Sequence, residues 1–139
     1  MRGLMMLSFV CATVAACSES ATEMATAPDA VSGIYVLESA AGKSLPATLT
    51  DQSGYRLEIV AGAYSLFPDG TYTSFLTIRE SIETTASPNV TTYDERAIGV
   101  YLVTAQIVRF TDSGGSEAVG EIAAKTLSFH GAIPRTYRK

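Results

Sequence analysis

Polar and apolar residues alternate in short runs along most of the chain. Residues 55–59 alternate apolar and charged side chains with a period of two, as expected of a strand with one buried face. Residues 33–38 form a second run rich in β-forming residues, and residues 71–82 form a longer one. Helical periodicity is absent after residue 30. These patterns predict an all-β domain.

Turn signals separate these runs. Pro68 fixes its own φ and Gly70 can adopt a positive φ, so residues 67–70 predict a turn, and residues 112–115 predict another. Further strands are predicted at residues 99–103, 106–110, 118–122, 126–129 and 135–138. Short connections favour antiparallel neighbours, and closing the sheet removes its exposed edges. We therefore predict a single antiparallel up-and-down β-barrel of about eight to ten short strands, with a two-sheet β-sandwich as the alternative.

The N-terminal residues follow a different pattern. An apolar run of about 12 residues follows Arg2, and it is shorter than the roughly 20 residues that span a bilayer. The run ends in V-A-A-C at residues 14–17. This arrangement resembles the lipobox signal peptide of bacterial lipoproteins. The resemblance implies that residues 1–16 are a signal peptide and that Cys17 is lipidated, with an ordinary secretory signal cleaved near Ala16 as the alternative.

The segment after this cysteine has a composition typical of a linker. Residues 17–30 are mostly small and polar and lack apolar periodicity, which predicts a flexible tether, and residues 31–139 are then one domain. By the same resemblance, the lipid anchors the protein in a membrane of the bacterial cell envelope. Ser18, where an aspartate would favour the inner membrane, indicates the outer membrane with the domain facing the periplasm.

Composition and charge exclude several classes of function. The 139-residue chain has a formal net charge of −4 at pH 7 and no basic stripe in its sequence, which argues against binding of nucleic acid. His130 is the sole histidine, too few for a zinc site without free cysteines. Motifs of activated nucleophiles are absent. We therefore predict no metal, no cofactor and no catalytic residue, so that the protein is not an enzyme.

Several short motifs occur in a recognisable order. They are G-I-Y-V-L at 33–37, L-P-A-T at 45–48, L-F-P-D-G-T-Y at 66–72, G-V-Y at 99–101 and Y-R-K at 137–139. This order resembles the small bacterial lipocalin-like lipoproteins. The resemblance implies a lipocalin-like barrel closed at one end by Tyr35 packed under an arginine, Arg138 or Arg135. The META-type heat-shock lipoproteins are a second resemblance, but their G-C-N element is absent here.

The pleat of the strands predicts which side chains face the barrel interior. Alternation gives an inward set of Tyr35, Leu37, Leu57, Ile59, Tyr64, Leu66, Tyr72, Leu76, Ile78, Tyr101, Val103, Val108, Phe110, Leu127 and Phe129. An eight-stranded barrel is either filled by such side chains or holds one small ligand. The large residues favour filling, whereas inward tyrosine hydroxyls, which need partners, favour a ligand-lined interior.

Two functional hypotheses follow. The first is a lipid-anchored lipoprotein that binds a small apolar or amphipathic ligand through Tyr35, Tyr64, Tyr72, Tyr101, Phe110 and Phe129. The second is a structural or protein-interaction module of the cell envelope, with a filled barrel and a partner protein on its outer wall. The outward apolar residues available to such a partner are Ile34, Val36, Phe75, Val100, Leu102 and Ile107.

Overall fold

The computed structural model describes residues 26–139, so the predicted signal peptide, Cys17 and most of the predicted tether lie outside the described residues. One short helix precedes ten strands. The elements are α1 (Pro28–Val31), β1 (Gly33–Ala40), β2 (Lys43–Ser44), β3 (Ala47–Gln52), β4 (Tyr55–Leu66), β5 (Thr71–Ile82), β6 (Asn89–Thr104), β7 (Ile107–Asp112), β8 (Glu117–Ala123), β9 (Thr126–Phe129) and β10 (Arg135–Arg138). No helix among these residues is long and apolar enough to cross a membrane.

Strand β1 closes the sheet into a barrel. Its first half pairs with β4, from Gly33 opposite Leu66 to Val36 opposite Ala63, and its second half pairs with β10. Each strand from β4 to β9 pairs in an antiparallel ladder with the strand that follows it in the sequence. Eight strands therefore form a closed up-and-down barrel, with β2 and β3 as additional strands. The barrel prediction is confirmed, and the two-sheet sandwich is excluded by this closure.

The turn predicted after β4 forms at residues 67–70. Gly70 has a φ of 83°, a conformation that glycine adopts without steric penalty. The carboxylate of Asp69 accepts hydrogen bonds from the backbone N–H and the hydroxyl of Thr71. These bonds stabilise the charged form and hold the pKa of Asp69 below its ordinary value. The carboxylate of Asp69 and the conformation of Gly70 are thus explained by the turn that they form.

A register irregularity in β4 changes which side chains face inward. The pairing with β5 shifts between Ile59 and Ala61, so one extra residue interrupts the alternation of faces. After the irregularity the even-numbered residues Tyr64 and Leu66 are buried, whereas before it the odd-numbered residue Ile59 is buried. The strand predicted at residues 55–59 is therefore the first part of one strand of 12 residues.

Strands β4, β5 and β6 continue beyond the closed part of the barrel. Strand β6 pairs with β5 from Asn89 onward but with β7 only from Gly99. Residues 93–96 consequently lie in the part of β6 that pairs with β5 but not with β7. The β3–β6 sheet, with β3 as its outer member beside β4, forms one wall of an open end.

Aromatic side chains fill the middle of the barrel. The ring of Tyr64 lies 5.0 Å from that of Phe110, and the rings of Tyr72 and Phe110 lie 4.9 Å apart. The predicted inward residues are all buried except Leu57 and Leu76, which are partly exposed. Tyr137 is also fully buried, although it was not in the predicted set. The predicted outward residues, Ile34, Val36, Phe75, Val100, Leu102 and Ile107, are all exposed.

The helix α1 covers the opposite end of the barrel. The hydroxyl of Tyr35 donates a hydrogen bond to the carbonyl of Val31 at 2.8 Å, and that of Tyr101 donates to the carbonyl of Phe67 at 2.7 Å. The backbone N–H of Thr26 donates to the carbonyl of Val103. Part of the predicted tether, residues 26–30, therefore packs on the barrel and gives it a closed end.

Candidate functional site

The open end of the barrel contains an apolar groove of about 580 Å³. The inner face of the β3–β6 sheet forms one wall, and the β9–β10 loop at residues 130–134 faces it. Its lining includes Leu49, Leu57, Leu76, Ile78, Tyr93 and Ile133. Sites for small molecules usually have volumes of about 300–1,000 Å³ and mostly apolar walls. The groove therefore has the size and the chemistry of a small-molecule site.

Local strand geometry explains why these side chains meet. In β5, Leu76 and Ile78 are two residues apart and so point to the same face. The register irregularity of β4 turns Leu57 and Ile59 to that face as well. Aromatic rings fill the middle of the barrel and α1 covers its closed end, so the uncovered apolar surface lies at the open end.

A smaller and more polar cavity of about 210 Å³ adjoins the groove. The two cavities share the side chains of Leu76, Glu95 and Arg135, which places the smaller one directly beside the larger. Its lining includes Tyr64, Ser74 and Tyr137 in addition to the shared residues. The site thus combines an apolar compartment with a compartment that contains hydroxyl groups and a guanidinium.

Two polar groups in the smaller cavity are buried without a partner. The Nε of Arg135 and the hydroxyl of Tyr137 make no hydrogen bond of normal geometry within residues 26–139, although the Arg135 guanidinium lies close enough to the hydroxyl to oppose the rise in its pKa. The guanidinium carbon of Arg135 lies 5.2 Å from the centre of the Phe129 ring, within the range of a cation–π contact. No carboxylate in the described part of the chain forms an ion pair with Arg135. Such buried groups normally have partners.

Burial also affects the ionisation of Tyr137. It raises the pKa of the Tyr137 hydroxyl to about 12, although the positive charge of Arg135 opposes the rise. An unfolded tyrosine has a pKa of about 10. Between these values the native state holds a proton that the unfolded state has lost, so stability is full below pH 10 and falls as the pH rises through 12.

We expect this one group to reduce the free energy of unfolding by about 2 to 3 kcal/mol between pH 10 and pH 12. Urea unfolding of the wild type and of Tyr137→Phe across this range measures the effect, and the variant should show a smaller decline. At pH 7 the variant should be about as stable as the wild type, because it loses a hydroxyl that makes no hydrogen bond of normal geometry. Identical declines in both proteins would contradict the assignment.

The structure places the predicted ligand contacts in three different surroundings. Tyr35 and Tyr101 bond to backbone carbonyls at the closed end. Tyr72 and Phe110 pack within the aromatic cluster. Phe129 lines the apolar groove and Tyr64 lines the smaller cavity.

The predicted closing pair of Tyr35 and Arg138 needs a correction. Strand alternation turns Tyr35 inward and Arg138 outward, where the Nε of Arg138 lies 3.3 Å from a carboxylate oxygen of Glu38. The cation near Tyr35 is instead Lys139, whose Nζ lies 5.9 Å from the ring centre and donates a hydrogen bond to the carbonyl of Ser32. Arg135, the other candidate, lies in the site at the open end.

Sequence reasoning missed several residues of the site. Leu49, Tyr93 and Ile133 line the groove, yet they come from segments that were read as connections or not assigned. Tyr93 and Ala97 have the same parity as the buried Tyr101 and Val103 of β6, and this parity was the available signal for an inward face.

A second charged region lies on the other face of β4. The carboxylate of Glu58 is buried and accepts two hydrogen bonds from Arg79, at 2.9 and 2.8 Å. These groups border a polar cavity of about 400 Å³.

His130 is exposed, and its Nε2 lies 3.7 Å from a carboxylate oxygen of Glu121. Within residues 26–139, no group of three His, Cys, Asp or Glu side chains is arranged to hold a metal ion.

We compared the chain with known protein families, curated proteins and solved structures. No protein-family model, curated protein or solved structure matches the chain. The closed antiparallel barrel of eight strands is consistent with a lipocalin-like fold.

Proposed function

We propose that the protein binds a small apolar or amphipathic molecule in the groove at the open end of its barrel. The observation that carries this proposal is the groove itself, with its volume of about 580 Å³ and its apolar walls. Filling it removes apolar surface from water, at about 25 cal/mol per Å². Since the middle of the barrel is packed with aromatic rings, the ligand lies above that cluster rather than within it.

The proposed cellular setting comes from the N-terminal sequence. A lipid on Cys17 would hold the protein in an envelope membrane, and we propose the outer membrane with the domain in the periplasm. The described chain begins at the closed end of the barrel. The anchor would therefore join the barrel at the end opposite the groove, leaving the groove free to exchange ligand with the periplasm. In this setting the protein would act as a carrier or binding protein, without catalysis.

Nile red, a neutral apolar dye, tests the binding function. The full chain carrying Cys17→Ala, which lacks the lipidation site, is titrated with the dye without detergent. The matched variants are Ile133→Arg in the groove and Leu102→Arg on the outer wall, both at exposed positions. We expect Ile133→Arg to weaken dye binding by about tenfold or more, because it places a charge in an apolar site. Equal binding by the wild type and Ile133→Arg would contradict the proposal.

The second candidate function is an interaction module of the cell envelope, favoured by apolar side chains on the outer wall. Ile98, Val100 and Leu102 alternate along β6 and are all more than half exposed, so they form an apolar row on its outer face. Contiguous apolar surface of this kind is typical of contact with another protein. Under this alternative, dye binding is lost in Leu102→Arg and retained in Ile133→Arg.

A further inference from the structure

The geometry points to an aliphatic carboxylate as the ligand, with its carboxylate on Arg135 and Tyr137 and its chain in the apolar groove. This inference rests on the proposed function and specifies the substrate class of the same site. The observation that supports it is the pair of buried groups, Nε of Arg135 and the hydroxyl of Tyr137, because an entirely apolar ligand would provide neither with a hydrogen-bond partner.

The two groups call for a hydrogen-bond acceptor. Nε of a guanidinium can only donate, and the Tyr137 hydroxyl can donate as well. Burying such donors without an acceptor is unfavourable, and a charged donor is the more unfavourable case. A carboxylate has two oxygens, so it can accept from both groups and neutralise the arginine, which favours a charge-assisted pair.

The position of these groups determines where the two ends of the ligand lie. Arg135 lines both the groove and the smaller cavity, whereas Tyr137 lines only the smaller one. A charged end bound between them lies at the boundary of the two cavities, and an attached chain extends along Leu76 toward Leu57 and Ile133. This division into a polar and an apolar compartment fits a molecule with one charged end.

The other charged residues in the site are Glu95 and Arg96. Arg96 lines the smaller cavity and is paired with Asp94, at 2.8 Å between guanidinium nitrogen and carboxylate oxygen. The side chain of Glu95 lines both cavities but makes no ion pair with Arg135. It is exposed, so water screens its charge, whereas Nε of Arg135 is buried. Glu95 therefore weakens carboxylate binding without preventing it, and Glu95→Gln should bind carboxylates more tightly.

Displacement of Nile red tests the inference with three probes that share a decyl chain. They are decanoate, decanol and decyltrimethylammonium, added at pH 7 to the full chain carrying Cys17→Ala. We expect decanoate to bind about tenfold or more tightly than decanol, since only the former makes a charge-assisted bond. Arg135→Gln should abolish the preference for decanoate over decanol, and Arg135→Lys should retain part of this preference because it keeps the charge.

The outcomes separate the inference from the function on which it rests. Equal displacement by decanoate and decanol, or tighter binding of decyltrimethylammonium, would overturn the carboxylate inference and leave the groove as a binding site. Absence of dye binding would contradict the proposed function itself. A loss of decanol binding in Arg135→Gln would show that the arginine supports the fold of the site, and this result would also overturn its assigned role.

Discussion

Replacing Phe110 with alanine is expected to lower the free energy of unfolding by about 4 kcal/mol. The ring is almost fully buried and lies within 6.3 Å of four other aromatic rings, those of Tyr64, Tyr72, Tyr101 and Phe129. Its removal leaves a cavity that these rings, attached to paired strands, cannot close. Because native domains are stable by only about 5–15 kcal/mol, the loss is a large part of the total. Urea unfolding at pH 7 measures it.

The control for this substitution lies on the same strand. Ile107 is exposed on the outer wall, so Ile107→Ala should lower the free energy of unfolding by less than about 1 kcal/mol. A similar small loss for Phe110→Ala would mean that the aromatic cluster is loosely packed. The statement that the middle of the barrel is filled would then be wrong.

Replacing Gly99 with alanine is expected to destabilise the protein by about 3 kcal/mol or more. Gly99 is the first residue of β6 that pairs with β7, opposite Asp112. A Cβ at this position would lie 2.0 Å from the carbonyl oxygen of Thr111 and 2.7 Å from the Cα of Asp112. Both contacts are with backbone, so the two strands must separate to admit the methyl group.

Gly131→Ala is the matched control, because a Cβ at Gly131 meets no heavy atom within 4 Å. This variant should unfold at the same urea concentration as the wild type. If Gly99→Ala did the same, β6 and β7 would have to be further apart at this point than described. The β6–β7 junction matters for the site, because it is where the open end of the barrel begins.

The features of the fold that could be predicted are those that depend on neighbouring residues in the sequence. Alternation is a local property, so the inward positions of Tyr72 in β5 and of Val108 and Phe110 in β7 follow directly from residue parity. The turn at Gly70 was predictable for the same reason, since its sequence signature lies within four residues. Closure of the sheet was inferred from the general disadvantage of exposed edges.

The parts that were not predicted depend on contacts between distant residues. The continuity of β4 requires a register irregularity, which is set by the pairing with β5 rather than by the residues near Val60. The packing of residues 26–30 depends on acceptors and donors at Val103 and Tyr101. The open end exists because β6 extends past β7, a difference in strand length that residue parity does not reveal.

Part of the lining of the cavities at the open end could be predicted for the same reasons. Phe129 and Tyr64 were identified from alternation, and both line the cavities at the open end. The role inferred for Arg135 depends on the absence of a partner within the described residues, which only the folded structure shows. Sequence patterns indicate which residues are inside a barrel, but they do not indicate where side chains leave space.

Methyl NMR spectra recorded during titration with decanoate show directly where the ligand binds. In the full chain carrying Cys17→Ala, we expect shifts of the methyl signals of Leu57, Leu76 and Ile133 in the groove. The signals of Val108 in the filled barrel and of Leu102 on the outer wall should stay unchanged. Shifts at Val108 would place the ligand inside the aromatic cluster, and shifts confined to Leu102 would place it on the outer wall. Either result would contradict binding at the open end.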